Sequence, residues 1–141
     1  MEYAVQAWSP QLRKDILKLE KVQRRATKLI PDIANLPYEV RLKRLNLTTL
    51  EDRRERGDMI EVFKILKGID KIQDNFLELD TNPRTRGHAL KLKKTRHRTQ
   101  KRMMFFSSRI VNKWNELPDW VIESTNTMTF KNRYDKFIAS K

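Results

Sequence analysis

The chain has 141 residues, a formal net charge of +13 at pH 7, no cysteine and only three glycines. These counts exclude disulfides, zinc–thiolate sites and cysteine nucleophiles, and they exclude the glycine-rich loops that cradle nucleotide phosphates. With 35% charged and 38% hydrophobic residues, the chain is expected to be a helical protein with a small hydrophobic core. Its positive charge favours a polyanionic partner, and a nucleic acid rather than a membrane surface.

The first predicted element is an amphipathic helix over residues 10–30, with Ser9 as its N-cap and Pro31 as its end. Its apolar side chains recur every three or four residues and form one stripe: Leu12, Ile16, Leu19, Ala26 and Ile30, with Val22 and Leu29 beside it. A row of cations repeats at the same spacing on the opposite side: Lys14, Lys18, Lys21, Arg25 and Lys28. This row is a candidate surface for contacts with the phosphates of a nucleic-acid backbone. The competing interpretation is an ordinary solvent-exposed helix face.

Two further helices are predicted before residue 70. A short one covers residues 37–45. Thr48 and Glu51 then match the capping box that opens a longer helix, which ends at Gly68. The second half of this helix is apolar on more than one side and is expected to be the most buried element. Gly57 in its middle costs about 1 kcal/mol relative to Ala, which a close helix crossing or a kink would explain.

The rest of the chain is predicted to contain a connection, a short strand and two helices. The connection covers residues 69–88, with a short helical turn around Phe76. Residues 89–93 alternate apolar and basic side chains, the period of a half-buried strand, and a hairpin with residues 96–102 would pair it. The two helices run from Met104 or Phe105 to Leu117 and from Thr127 to Ala139. The predicted fold class is therefore all-α, with about five helices and at most one short β-hairpin in the basic segment.

The positive charge is concentrated in residues 81–115, which contain eleven basic residues and no acidic one, while the rest of the chain carries only +2. A block of like charges repels itself and is neutralised by a polyanion, so this segment is a candidate nucleic-acid site. A solvated basic loop is the competing interpretation. The candidate binding residues here are Arg84, Arg86, Lys91, Lys93, Lys94, Arg96, Arg98, Lys101 and Arg102.

Three aromatic side chains adjoin this basic segment: Phe105, Phe106 and Trp114. Aromatic rings interleaved with cations hold single-stranded nucleic acids by stacking and by phosphate neutralisation. Helical spacing assigns Phe106 and Trp114 to the core, which leaves Phe105 as the expected exposed ring.

The sequence offers no pattern typical of a catalytic or metal site. The one adjacent acidic pair, Glu51 and Asp52, lies at a helix start, where capping and the helix dipole explain it. His88 and His97 lie among cations, which disfavours metal binding and general-base chemistry. We therefore expect no enzyme activity and no cofactor for this chain as it stands.

Several motifs occur in a fixed order along almost the whole chain. They include Gln6-Ala7-Trp8-Ser9-Pro10, Gln23-Arg24-Arg25-Ala26-Thr27, Arg56-Gly57-Asp58-Met59, Trp114-Asn115-Glu116-Leu117-Pro118 and Phe130-Lys131-Asn132-Arg133. In this order they resemble the region after the palm in reverse transcriptases of non-LTR retrotransposons, of the jockey-like and chicken-repeat-like kinds.

The resemblance implies that residues 1–68 are a thumb-like helical part and that residues 69–141 are a basic connection with C-terminal helices, packed together as one domain. In the family, metal-binding aspartates of the palm catalyse polymerisation with Mg²⁺, and no Asp-Asp pair occurs in this chain. The implied function is to hold template–primer or target nucleic acid, RNA or DNA, without polymerising it. The implied setting is a truncated retroelement sequence, located inside the cell and in the nucleus, with the remaining polymerase domains as further partners.

Three competing functions are left open by the residues. The first is a structural or interaction module whose apolar stripes dock onto a polymerase palm, while the basic block only keeps the protein soluble. The second is membrane-surface binding through residues 14–28, which the scarcity of Trp and Phe on the opposite face disfavours. The third is a free-standing enzyme. No apolar run is long enough to span a bilayer, and residues 1–3 lack the start of a signal peptide.

Overall fold

The computed structural model describes residues 4, 6–10, 12–71, 76–81 and 87–141. Their helices are α1 (Arg13–Lys28), a 3-10 turn (Pro31–Ile33), α2 (Tyr38–Arg44), α3 (Leu50–Leu66), α4 (Gln100–Met103), α5 (Phe106–Arg109), α6 (Val111–Asn115), α7 (Asp119–Ile122) and α8 (Thr127–Ala139). Within these residues, strand pairing is limited to one antiparallel bridge between Leu79 and Leu92. The predicted all-α fold class is confirmed.

Backbone contacts divide the chain into two compact units, Met1–Gly57 and Asp58–Lys141. The first unit contains α1, α2 and the first turns of α3, and the second contains the rest of α3 and the helices α4 to α8. The interiors of the two units differ in kind. The first contains a network of hydrogen-bonded polar side chains, and the second contains an apolar core.

Helix α1 begins later than the sequence predicts. Its N-cap is Leu12, whose extended backbone stops the helix from reaching back to Pro10, so Ser9 does not cap it. It ends at Lys28, two residues before the predicted end at Ile30, and Ile30 is extended, as expected for a residue that precedes proline.

The buried face of α1 is also not the predicted apolar stripe. The buried positions are Glu20, Gln23 and Thr27, all of them polar. Two members of the stripe, Leu12 and Ile30, are 55% and 37% exposed, and Val22 and Leu29 beside it are 51% and 82% exposed. The prediction fails because hydrophobic periodicity finds apolar faces, whereas here a hydrogen-bonded polar face is the one that packs.

Helix α3 is capped one residue later than predicted. The Thr49 hydroxyl accepts from the Asp52 N–H at 3.1 Å and donates to the Asp52 carboxylate at 2.6 Å. Thr49 is therefore the N-cap and bonds to Asp52, and the predicted capping box of Thr48 and Glu51 is wrong. The predicted end is confirmed, since Gly68 has the positive φ of +68° that suits a glycine after a helix.

Gly57 lies in the middle of α3 in open space. A Cβ atom at this position would meet no atom of the described residues within 4 Å. The close helix crossing offered to explain this glycine is therefore wrong.

The second unit is built around a cluster of aromatic and aliphatic side chains. The rings of Phe63 and Phe130 stack with centroids 4.4 Å apart, and Trp114 and Tyr134 each lie about 6 Å from Phe130. The core comprises Met59, Val62, Phe63, Leu92, Phe106, Ile110, Val111, Trp114, Leu117, Val121, Ile122, Phe130 and Tyr134. Burial of the second half of α3, of Phe106 and of Trp114 is thus confirmed.

The predicted helix from Met104 or Phe105 to Leu117 is interrupted. The extended backbone of Phe105, with ψ of 147°, separates α4 from α5, and Ile110 separates α5 from α6. Helix α7, which follows Pro118, was not predicted from the sequence. Helix α8 has its predicted bounds, and the Asn126 side chain caps it by accepting from the Thr129 N–H at 2.8 Å.

The predicted β-hairpin is wrong in its partner. Leu92 pairs with Leu79, with backbone bonds from Asp80 N to Lys91 O and from Lys93 N to Glu78 O, both 2.8 Å. Residues 100–103 form α4 instead of a second strand. The helical turn predicted around Phe76 is replaced by a bend that leads into this bridge.

Candidate nucleic-acid interface

The packed face of α1 is a hydrogen-bonded network. The Tyr38 hydroxyl donates to Glu20 Oε1, and Glu20 Oε2 accepts from the Leu50 N–H at 3.0 Å. Gln23 Nε2 lies 3.0 Å from both the Tyr38 hydroxyl and the Thr48 carbonyl oxygen. Burial, followed by the bond to Glu20, raises the pKa of Tyr38 to about 12, so the hydroxyl stays a donor at neutral pH. The network fixes α2 and the start of α3 against α1.

Arg41 extends this network as a buried cation. It is only 3% exposed, and its guanidinium donates to Thr27 Oγ1 at 3.0 Å and to the carbonyl oxygens of Leu36 and Arg24 at 2.7 and 3.4 Å. All three acceptors are uncharged, and no described carboxylate forms an ion pair with it. Its charge therefore adds to the positive potential at this edge of the first unit.

A groove opens beside Arg41, between α1 and the segment that leads into α2. It has a volume of about 650 Å³. Among the described residues, five cationic side chains line it, Lys21, Arg24, Arg25, Lys28 and Arg41, together with residues 34–38, and none of these lining residues carries a carboxylate. The Arg24 guanidinium lies over the Tyr38 ring, 4.4 Å from its centroid. We call this feature the basic groove.

The predicted row of cations on α1 leads into the basic groove. All five of its members are exposed: Lys14, Lys18, Lys21, Arg25 and Lys28. The last three line the groove, whereas Lys14 and Lys18 lie earlier on the same side of the helix. Lys18 lies 3.7 Å from Asp15, an exposed pair that leaves it available to another anion.

Two of the cations that line the groove were not predicted from the sequence. Arg24 falls between the members of the cationic row, and Arg41 belongs to a different helix. Helical spacing predicts neither residue, because tertiary contacts position both. Arg24 lies over the Tyr38 ring, and Arg41 donates to the carbonyl oxygens of Leu36 and Arg24.

The basic segment predicted from the charge run lies in the second unit and is fixed at two points. The Asn115 side chain donates to the Leu92 carbonyl oxygen and accepts from the Leu92 N–H, both at 2.8 Å. Farther along, His97 Nε2 lies 2.7 Å from Ser108 Oγ. We call the stretch 93–102 the basic strip. It crosses the surface between these anchors and then enters α4.

All the predicted cations of the basic strip are exposed. Lys93 among them lies 2.9 Å from Glu78, and this hydrogen bond raises the pKa of Lys93. Lys91, just before the strip, is half-buried. Arg84 and Arg86 lie outside the described residues. The exposed predicted cations that pair with no described carboxylate are Lys94, Arg96, Arg98, Lys101 and Arg102.

His88 is buried just before the strip. Its Nε2 donates to the Trp114 carbonyl oxygen at 3.1 Å, and its Nδ1 has no partner among the described residues. Burial lowers the pKa of His88 below its usual value, so the ring is neutral at pH 7. Trp114 Nε1 also donates to the Leu90 carbonyl oxygen at 2.7 Å, which holds the backbone before the strip.

Comparison of the chain with family models, curated proteins and solved structures gave no match. In the described part of the chain, no three His, Asp or Glu side chains converge as a metal site requires. Nor does that part contain a helix long and apolar enough to cross a bilayer. The charge, burial and spacing of the groove and strip residues are therefore the basis for a functional proposal.

Proposed function

We propose that this chain binds the sugar–phosphate backbone of RNA or DNA through the basic groove, with the row of cations on α1 extending the contact. The observation that carries the proposal is the composition of the groove lining, which has five cations and no carboxylate among the described residues. A concave site of one charge sign focuses its potential and attracts a polyanion.

The chemistry of the groove suits phosphates rather than bases. Guanidinium groups such as those of Arg24 and Arg25 match phosphate oxygens with two parallel hydrogen bonds, and Lys21 and Lys28 add point charges. Contacts of this kind position a strand but carry little sequence information. The proposed binding is therefore independent of sequence and strongly dependent on salt.

The sequence resemblance supports a specific setting for this binding. In that setting the chain acts as the thumb and C-terminal extension of a non-LTR retrotransposon reverse transcriptase and holds template–primer or target nucleic acid. Polymerisation and its Mg²⁺ ions would belong to the palm aspartates of the parent enzyme.

The test compares two triple variants of the full chain by fluorescence anisotropy with a labelled 20-nucleotide strand. The groove variant carries Lys21→Gln, Arg25→Gln and Lys28→Gln. The control variant carries Lys43→Gln, Lys71→Gln and Lys136→Gln, which removes the same charge from exposed positions outside the groove.

We expect the groove variant to bind more weakly. We also expect its slope of log K against log salt to be less steep by about 2 to 3, since each lost phosphate contact contributes about 0.7 to 0.9. The control variant is expected to bind almost as tightly as the unmodified chain. Equal losses in both variants would mean that net charge alone drives binding, and an unchanged groove variant would contradict the proposal.

A second candidate function is docking onto a protein, for which the resemblance names the polymerase palm. The observation that favours it is an apolar groove of about 520 Å³ on α1. Val22, Ala26, Ile30, Leu45 and Leu47 are among its lining residues. In this case Val22→Asp would abolish binding to a separately purified palm and leave nucleic-acid binding unchanged, and the groove variant would do the reverse.

A further inference from the structure

We propose that Phe105, with Arg102 beside it, is a stacking platform for one unpaired base, so that the protein prefers single-stranded over duplex nucleic acid. This inference rests on the proposed function, because the phosphates must bring the strand to the protein. The platform belongs to the second unit and uses no residue of the basic groove.

The first observation is that Phe105 is exposed on a well-fixed backbone. Its side chain is 59% exposed, whereas that of the next residue, Phe106, is buried. The Phe105 N–H donates to the Arg102 carbonyl oxygen at 3.2 Å, and its own carbonyl oxygen accepts from the N–H groups of Ser108 and Arg109, both at 2.9 Å. Because the backbone is already fixed, stacking of a base orders only the side chain, which limits the loss of conformational entropy.

The second observation is the cation at the ring. The Arg102 guanidinium carbon lies 5.5 Å from the centroid of the Phe105 ring. Thr99 caps α4 and accepts from the Arg102 N–H at 3.4 Å, which fixes the start of that turn. An aromatic ring with an adjacent guanidinium is an arrangement that binds bases by stacking and neutralises the phosphate next to them.

The third observation is the charge around the ring, which selects a nucleic acid as the occupant. Residues 81–115 contain no acidic side chain, and Lys94, Arg96, Arg98 and Lys101 are exposed on the strip that leads to Phe105. A single strand supplies both the flat ring and the phosphates that this surface complements. A duplex keeps its bases stacked inside and offers only phosphates.

The experiment uses two labelled 12-nucleotide DNA single strands of equal charge. One carries normal bases, and the other carries abasic sugars at every internal position. Stacking on Phe105 predicts that the abasic strand binds about 5- to 150-fold more weakly, the range expected for one stacked base. Backbone binding alone predicts equal affinity for the two strands.

Three variants of the full chain locate the effect. Phe105→Leu should bind the two strands with nearly equal affinity, Phe105→Tyr should keep the discrimination, and Trp120→Leu, at another exposed aromatic residue, should leave it unchanged. The slope of log K against log salt should be the same in all three variants, because none of the substitutions changes the charge. The rescue by tyrosine separates loss of stacking from loss of structure.

The outcomes separate the two proposals. If both strands bind equally tightly with a steep salt slope, the platform is wrong and the proposed function stands. If neither strand binds, the proposed function fails and the platform fails with it. Discrimination that survives in Phe105→Leu would place stacking elsewhere and would overturn the assignment to Phe105.

Discussion

Two buried charged residues of the first unit, Glu20 and Arg41, bond to neutral partners instead of opposite charges. Glu20 accepts from a hydroxyl and a backbone N–H, and Arg41 donates to a hydroxyl and two carbonyl oxygens. Tyr38 stands between the two, bonded to Glu20 and with the Arg41 guanidinium 5.5 Å from its ring. Glu20 and Tyr38 therefore depend on each other for a hydrogen bond.

Removal of the Tyr38 hydroxyl tests this dependence. Tyr38→Phe should lower the free energy of unfolding by about 1 to 3 kcal/mol, because it leaves a buried Glu20 oxygen without its donor. Urea denaturation followed by circular dichroism measures the change. Thr125→Val, at an exposed hydroxyl, is the control and should change it by less than about 0.5 kcal/mol. Equal values for the two variants would mean that the network does not stabilise the unit.

His88 gives the second unit a dependence of stability on pH. Its pKa is lowered in the folded protein by burial, so the unfolded chain binds a proton there at a higher pH than the folded chain does. Stability is therefore full above the usual pKa of 6.5 and is lost as the pH falls through that value towards the lowered one.

We expect the melting temperature to fall between pH 7.5 and 5.5 (about the range in which histidine titrates) and to fall less steeply in His88→Gln. Differential scanning calorimetry at several pH values provides the comparison. Parallel curves for the two proteins would show that His88 is not the group responsible.

Among the helices, the ends that depend on nearby residues were predicted from the sequence, whereas a packing face that depends on tertiary contacts was not. The bounds of α8 and the end of α3 at Gly68 follow from patterns within a few residues, and both were predicted. The packing face of α1 was not, because a face made of Glu20, Gln23 and Thr27 is recognisable only once Tyr38 is in place.

Gly57 offers a test at the level of a single helix. Gly57→Ala should raise the free energy of unfolding by about 0.5 to 1 kcal/mol, because alanine favours the helix and a Cβ there meets no atom of the described residues within 4 Å. Gly68→Ala should lower it, since its φ of +68° strains any residue with a side chain. Thermal or urea denaturation of both variants gives the two signs, and destabilisation by Gly57→Ala would contradict the open environment of that position.

At the scale of the whole molecule, positive charge is presented in two ways. The first unit offers the concave basic groove, and the second offers the basic strip, which ends at Arg102 beside the Phe105 ring. The sequence indicated the strip from composition alone and three groove residues from helical spacing, Lys21, Arg25 and Lys28. It gave no sign of the groove itself, since concavity arises from the way Arg41 and Tyr38 fix the segment before α2.

The central claim is that phosphates are the ligand, and the salt dependence of binding tests it most directly. The measurement is fluorescence anisotropy of the unmodified chain with a labelled 20-nucleotide strand between about 30 and 300 mM NaCl, one decade of ionic strength. If about six phosphates are neutralised, log K should fall with log salt at a slope of about −4 to −5. A slope near zero, or no binding at the lowest salt, would contradict the account.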